Sequence, residues 1–227
     1  MSDREVVITE DVAGAAAERI TSAVRAGGHI VLAGGSTPRR AYEKVAALDL
    51  DWSGTELWLG DDRAVPPDHE HSNFRMVRES LGDPAPIHWI QGELGYEAAA
   101  DAYQAELDAA FPHTPRFDLI LLGLGPDAHT ASLFPGDDAL GERERFAVGV
   151  KTPGMPPLVS RVTLTLPVLN AGKEVVFLIS GEDKAEAVAR AFGDAPGPDA
   201  PASLVRPDAG LTLLIDPPAA ARLGAAG

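Results

Sequence analysis

The 227-residue chain contains no cysteine. That excludes disulfides, a thiolate nucleophile and cysteine-ligated metals. Positive charge is scarce: 19 Lys and Arg stand against 34 Asp and Glu, for a net charge of −15. Such a surface repels nucleic acid and anionic membranes at long range. It still admits a small anionic substrate, because a local cluster of Arg and Lys reverses the field within one cleft. No apolar run approaches the ~20 residues of a membrane span. The start, Met1-Ser-Asp-Arg-Glu-Val-Val-Ile8, has no apolar signal-peptide core. These absences predict a soluble cytoplasmic protein with neither a nucleic-acid nor a membrane partner.

Hydrophobic residues make up 45% of the chain and charged residues 23%, which specifies a folded globular protein. The length allows one large or two small domains. Apolar segments alternate with helical patterns. Strands are expected over 6–8, 29–33, 56–59, 87–90, 117–122, 146–150, 161–165, 175–180 and 211–215. Between them, Asp11 caps a helix to about Arg25, Ser36 or Thr37 caps a second to about Leu48, and Ser72-Asn73 opens a third to about Leu81. Further helices are expected over 96–110 and from Gly181-Glu182-Asp183-Lys184 to about Phe192. Segment 194–201 is too rich in proline and glycine for regular structure. This alternation predicts an α/β fold: a mostly parallel sheet flanked by helices on both faces. The loops after the second, third and fifth strands then gather along one edge, where such folds bind ligands.

Three loops carry chemistry. Gly34-Gly35-Ser36-Thr37-Pro38 reads as an anion cradle at a helix N-terminus, or as an ordinary strand-to-helix turn. Gly60-Asp61-Asp62-Arg63 offers a carboxylate to a sugar hydroxyl and a guanidinium to an anion, or is a solvated turn with a local ion pair. Asp127 and His129, two residues apart just past an apolar strand, form a proton-transfer pair, or hold the loop by a structural hydrogen bond. Asp61, Asp62, His69 and His71 lack any specific metal-ligand spacing, so no metal is expected. Gly123-Leu-Gly-Pro-Asp-Ala128 matches a loose dinucleotide pattern, but it lies mid-chain with a proline inside and no suitably placed acidic residue beyond, so that reading is rejected. Arg161 begins a strand. Lys184, in the first turn of a helix, opposes the helix dipole, which is useful beside a phosphate.

Together the blocks Leu32-Ala-Gly-Gly-Ser-Thr-Pro38, Trp58-Leu-Gly-Asp-Asp-Arg-Ala-Val-Pro66 with Asp68 and Ser72-Asn73, and Gly123-Leu-Gly-Pro-Asp-Ala-His-Thr-Ala-Ser-Leu-Phe-Pro-Gly136 resemble the 6-phosphogluconolactonase family, part of a wider group with the glucosamine-6-phosphate deaminases. Supporting positions run on to Arg161, Lys184 and Pro201-Ala-Ser203. Arg63 and the run Thr130-Ala-Ser-Leu-Phe-Pro-Gly136 resemble the lactonase branch. The deaminase branch typically has an aromatic residue at the position of Arg63 and a carboxylate further along the histidine loop.

The resemblance implies one domain spanning residues 1–227, with a Rossmann-like sheet of the NagB/RpiA-like type. It implies hydrolysis of 6-phospho-D-glucono-1,5-lactone, with His129 as general base and then acid, and Asp127 orienting its ring. It also implies substrate binding by Gly34, Gly35, Ser36, Thr37, Asp61, Arg63, Arg161 and Lys184. No metal, cofactor or covalent intermediate is required, and the oligomeric state is left open. Two residues depart from the family's usual pattern: Ala128 stands in place of Gly, and Asp62 in place of Glu. A left-handed backbone at position 128 would cost alanine about 1–2 kcal/mol. Two other readings are an amino-sugar-phosphate deaminase on the same scaffold and a non-catalytic sugar-phosphate-binding protein.

Overall fold

The computed structural model describes residues 4–193 and 196–224. Seven strands form a single parallel sheet: β1 (Arg4–Ile8), β2 (Gly28–Leu32), β3 (Thr55–Leu59), β5 (Ile87–His88), β6 (Leu119–Leu122), β9 (Val175–Ile179) and β10 (Leu211–Ile215). Their order is β1-β10-β9-β6-β2-β3-β5. The inner strands Leu-Ile-Leu-Leu of β6 and Val-Val-Phe-Leu-Ile of β9 are buried at every position. Continuous apolar runs of this kind mark strands covered on both faces.

Helices α1 (Val12–Ala26), α2 (Ser36–Ala46) and α3 (Asn73–Leu81) pack side by side. Right-handed crossovers place them on one face, and place α4 (Tyr96–Ala110) and α6 (Ala185–Phe192) on the other. Local signals set these ends. Asp11 accepts from the Gly14 N–H to cap α1, and Ser72 accepts from the Arg75 N–H to cap α3. A short α5 (Leu166–Ala171) and α7 (Pro217–Ala220) complete the α-helices of the described residues. Among the described residues no helix is long and apolar enough to cross a membrane.

The main departure from the expected fold is a second sheet. β4 (Asp61–Arg63), β8 (Arg161–Leu164) and β7 (Ala147–Val150) form an antiparallel trio in the order β4-β8-β7. The strands over 146–150 and 161–165 therefore do not extend the parallel sheet. They follow one another with no crossover helix between them, and a parallel pairing needs one. The start of α2 also differs. Gly35, at φ +112°, is its N-cap, and neither Ser36 nor Thr37 makes a capping bond. The turn at Gly35 starts the helix at Ser36 and puts Pro38 third, where its missing N–H is still among the unbonded first four. The turn leading to α6 is a 3₁₀ turn over Glu182–Lys184. Segment 194–201 lies partly outside the described residues; 196–200 is irregular and leads into a 3₁₀ turn over Pro201–Leu204.

Chain direction fixes the functional edge. From β2 the chain runs outward to β3 and β5, then returns to β6 on the other side of β2 and continues to β9 and β10. β2 and β6 are thus neighbours whose connections diverge, which opens a crevice beyond their carboxyl ends. Two buried tyrosines finish the ends of β2 and β3. The Tyr42 hydroxyl on α2 both accepts from the Ala33 N–H and donates to the Ala33 carbonyl, each at 2.9 Å. The Tyr103 hydroxyl on α4 does the same at Leu59, at 3.0 and 2.8 Å.

Candidate active site

The crevice holds a cleft of ≈ 330 Å³. Loops after β2, β3, β6 and β9 reach it, contributing Gly34 and Gly35, Asp61 and Arg63, Gly123 to Pro126 with His129, and Lys184. Arg161 enters from β8, and Met155 and Pro156 form a wall. Six of the eight residues expected to bind substrate therefore line one cavity. Ser36 and Thr37 are the exceptions: Ser36 points to solvent, Thr37 is buried, and neither lines the cleft. What the cradle presents there is the glycine backbone at the start of α2.

His129 Nδ1 donates to Asp127 Oδ1 at 2.5 Å, and the His129 backbone N–H donates to the same oxygen at 3.1 Å. A carboxylate only accepts, so the proton sits on Nδ1 and leaves Nε2 as a base. Burial raises the Asp127 carboxyl, but the hydrogen bond and charge of His129 outweigh it and hold that carboxyl below its ordinary value. Asp127 does not line the cleft; it stands behind the imidazole. The loop is tight. A Cβ on Gly125 would lie 1.9 Å from His129 Nδ1, so only glycine fits there. Ala128 has φ +65° and Ala131 φ +47°. Position 128 is thus left-handed, where the family's glycine would be at ease and alanine is strained. The Phe134 ring lies 4.4 Å from the His129 ring and 5.2 Å from the Arg161 guanidinium, beneath both.

The positive charge is concentrated. Arg63 and Arg161 are directly paired across β4 and β8. Like charges facing each other across strands destabilise a sheet unless an anion joins them. The Nε of each arginine is buried without a hydrogen-bond partner among the described residues. Arg161 Nη2 reaches the carbonyls of Met155 and Pro157 at 3.4 and 3.3 Å. Burial lowers this guanidinium from its ordinary value; Asp61 opposes the shift and Arg63 adds to it. Lys184 Nζ lies 3.5 Å from Asp183 Oδ2.

Adjacent carboxylates take opposite parts. Asp61 faces the cleft, and its Oδ2 accepts from Ser132 Oγ at 2.6 Å. Asp62 turns away. It accepts from the backbone N–H groups of Arg63, Asn73 and Phe74 and from Ser72 Oγ, at 2.6–3.1 Å. Burial pushes its carboxyl up to about 6, against the pull of those donors. Asp62 therefore ties β4 to the start of α3. No group of three or more side chains with metal-binding geometry occurs among the described residues. Asn73, Met155 and Pro156 are lining residues beyond the expected set. Asn73 has a legible signal, since the Ser72-Asn73 pair opens a helix shortly after Arg63.

The family model for "Glucosamine-6-phosphate isomerases/6-phosphogluconolactonase" matches residues 3–214. The chain belongs to this family. Among its relatives, a 6-phosphogluconolactonase from Synechocystis sp. is 39% identical over 211 residues, covering 87% of this chain and 86% of that protein. A human 6-phosphogluconolactonase is 42% identical over 174 residues, covering 74% of this chain and 67% of that protein. The crystal structure of a 6-phosphogluconolactonase from Thermotoga maritima superposes with a TM-score of 0.84 at 31% identity, over 94% of this chain and all of that one. One from Trypanosoma brucei gives a TM-score of 0.89 at 26% identity, over 99% of this chain and 100% of that one. A monomeric glucosamine-6-phosphate deaminase shares the fold at a TM-score of 0.79 and 22% identity.

Proposed function

We propose that this chain hydrolyses 6-phospho-D-glucono-1,5-lactone to 6-phospho-D-gluconate, the second step of the oxidative pentose phosphate pathway. The observation that carries the reading is a histidine whose Nδ1 is held by a carboxylate, with its ring set in a cleft lined by Arg63, Arg161 and Lys184. The two named relatives, at 39% and 42% identity, support the choice of substrate.

The chemistry needs a proton removed and a proton returned. His129 Nε2 takes a proton from water as its oxygen attacks C1. The tetrahedral intermediate collapses with cleavage of the bond from C1 to the ring oxygen, and that oxygen leaves as an alcohol with the proton from His129. Asp127 fixes the ring and stabilises the imidazolium between these steps. Backbone N–H groups of the glycine loop are the natural donors to the oxyanion. Arg161, Lys184 and the Gly34–Gly35 backbone take the phosphate, with Arg63 beside the substrate and Asp61 on a sugar hydroxyl.

The test is the decay of freshly generated 6-phosphogluconolactone, followed with and without protein in EDTA. Acceleration above the spontaneous rate that vanishes in His129→Ala is the expected result. Activity that survives that change removes His129 as the base. No acceleration by the unaltered protein removes the lactonase reading, and ammonia release from glucosamine 6-phosphate is then measured.

A further inference from the structure

Asn73 is the first residue of α3, lines the cleft and is buried. Its side chain bonds twice to β4 and packs against the loop after β2. Oδ1 accepts from Arg63 Nη1 at 2.6 Å. Nδ2 donates to the Asp61 carbonyl at 2.9 Å and lies 3.4 Å from Asp61 Oδ1. Across the cleft floor it presses on the β2 loop, where a Cβ on Gly34 would stand 2.1 Å from Asn73 Oδ1. Its own backbone N–H is held by Asp62 at 2.6 Å.

The amide has one admissible orientation. Arginine only donates and a carbonyl only accepts, so reversing the group would set donor against donor and acceptor against acceptor. Few side chains meet this demand. An acceptor and a donor are needed in one short, planar, neutral group, and glutamine would be a methylene too long against Gly34. Neutrality matters most. An aspartate at this position would also accept from Arg63, but it would cancel the charge that a substrate anion needs and would face the Asp61 carbonyl with a second oxygen.

We infer that Asn73 is a positioning residue: it holds Arg63 by one terminal nitrogen, without neutralising it, so that the rest of the guanidinium serves the cleft. The second hold on that nitrogen is the His71 carbonyl at 2.9 Å. Nε is buried and has no hydrogen-bond partner among the described residues. The functional part of this inference rests on the lactonase reading above; the hold on the guanidinium does not.

The experiment uses Asn73→Ser, which removes both contacts, and the isosteric Asn73→Asp, which keeps the acceptor and adds charge. Nitrogen-15 NMR of the Arg63 side chain measures rotation of its guanidinium. Serine should speed that rotation relative to the unaltered protein, and aspartate should slow it. The same rate in all three proteins overturns the inference. In the lactone assay both variants should lose about tenfold or more in kcat/KM, because misplacing or neutralising one positioned group costs that order. In an Arg63→Ala background the serine change should cost nothing further, whereas a merely structural Asn73 would lower kcat/KM equally in both backgrounds. Altered rotation with unchanged kcat/KM overturns the functional role. If the unaltered protein does not accelerate lactone loss, the lactonase reading fails, and the NMR rates still decide whether Asn73 holds Arg63.

Discussion

Among the described residues the rings of His88 and His129 are both hydrogen-bonded to carboxylates, and only that of His129 lines the cleft. His129 has Asp127 on Nδ1 and a cleft before it. His88 has Glu106 3.3 Å from Nδ1 and Glu56 3.1 Å from Nε2, so both ring nitrogens are engaged. Its ring lies flat on Trp58, with centroids 3.7 Å apart and planes within 8°. Trp58 Nε1 in turn donates to His29 Nδ1 at 3.1 Å. None of these side chains lines the cleft. The two differ in place as well as in pairing. His129 sits on a loop past the carboxyl end of β6 at the point where the sheet reverses, and His88 is stitched between an edge strand and a helix.

The sharpest way to break this comparison is to remove each ring. His129→Ala should lower the rate of lactone hydrolysis by about 10²–10⁴-fold, the usual share of a general acid–base group, with little change in thermal unfolding. His88→Ala should do the reverse: catalysis unchanged, and stability lowered by about 1–3 kcal/mol through loss of the stacked ring and its bonds, read by denaturant unfolding. If His88→Ala impaired kcat as His129→Ala does, position at the crevice would not be the deciding factor. Asp127→Asn should cost about 10–100-fold in kcat by disturbing the tautomer and orientation of His129. A fully active Asp127→Asn would reduce the carboxylate to a loop brace.

The two adjacent aspartates sharpen the comparison further. Asp62→Ala strands the four donors that converge on this carboxylate. It should cost about 2–4 kcal/mol in unfolding free energy. The pH dependence carries a definite sign. The Asp62 carboxyl is raised to about 6 in the folded protein and is near 3.9 in an unfolded chain. Between those values the folded state holds a proton that the unfolded state has released, so this group lowers stability as pH rises from about 4 to about 6. That decline should be missing in Asp62→Ala melts over the same range. The smallest effect is expected at position 128. Ala128→Gly relieves about 1–2 kcal/mol of left-handed strain and returns about 0.5–1 kcal/mol of chain entropy to the unfolded state. A gain of up to about 1.5 kcal/mol should appear as a higher denaturant midpoint, and a loss would mean that the strain is absorbed elsewhere in the loop.

Much of the fold is legible in the amino-acid sequence, for reasons that differ by element. α3 and α4 are legible because a Ser72 cap and a long amphipathic run are local signals. β9 and β10 are legible because buried parallel strands are unbroken apolar runs. β4 is not, since Asp-Asp-Arg carries no apolar alternation and becomes a strand only by pairing with β8, far along the chain. Successive strand residues point to opposite sides, so one of Asp61 and Asp62 has to turn from the cleft, but only β8 and α3 decide which. Ser36 and Thr37 resemble cradle residues because hydroxyls after two glycines usually cap. The φ of Gly35, which composition does not reveal, starts the helix ahead of them and leaves both inside its first turn. Ser72-Asn73 is legible as a helix start, but the contacts of the Asn73 side chain are not, because its partners, Arg63 and Asp61, lie on another element.

The tyrosines at the strand ends have a consequence for timing. Ala33 and Leu59 stand at the roots of two cleft loops, where amide hydrogens normally trade with solvent quickly. Each is bonded to a buried phenol that replaces an absent strand, one phenol from α2 and the other from α4. Burial raises both phenols above their ordinary value, so neither loses its hydroxyl proton as alkalinity increases through the physiological range. Hydrogen exchange at Ala33 and Leu59 should therefore run as slowly as in the middle of β2 and β3. The Gly34 and Asp61 loops then behave as short spans anchored at their bases, each referenced to a different helical layer. Tyr42→Phe should quicken exchange at Ala33 and leave Leu59 slow, which makes the two sides of the cleft separately adjustable.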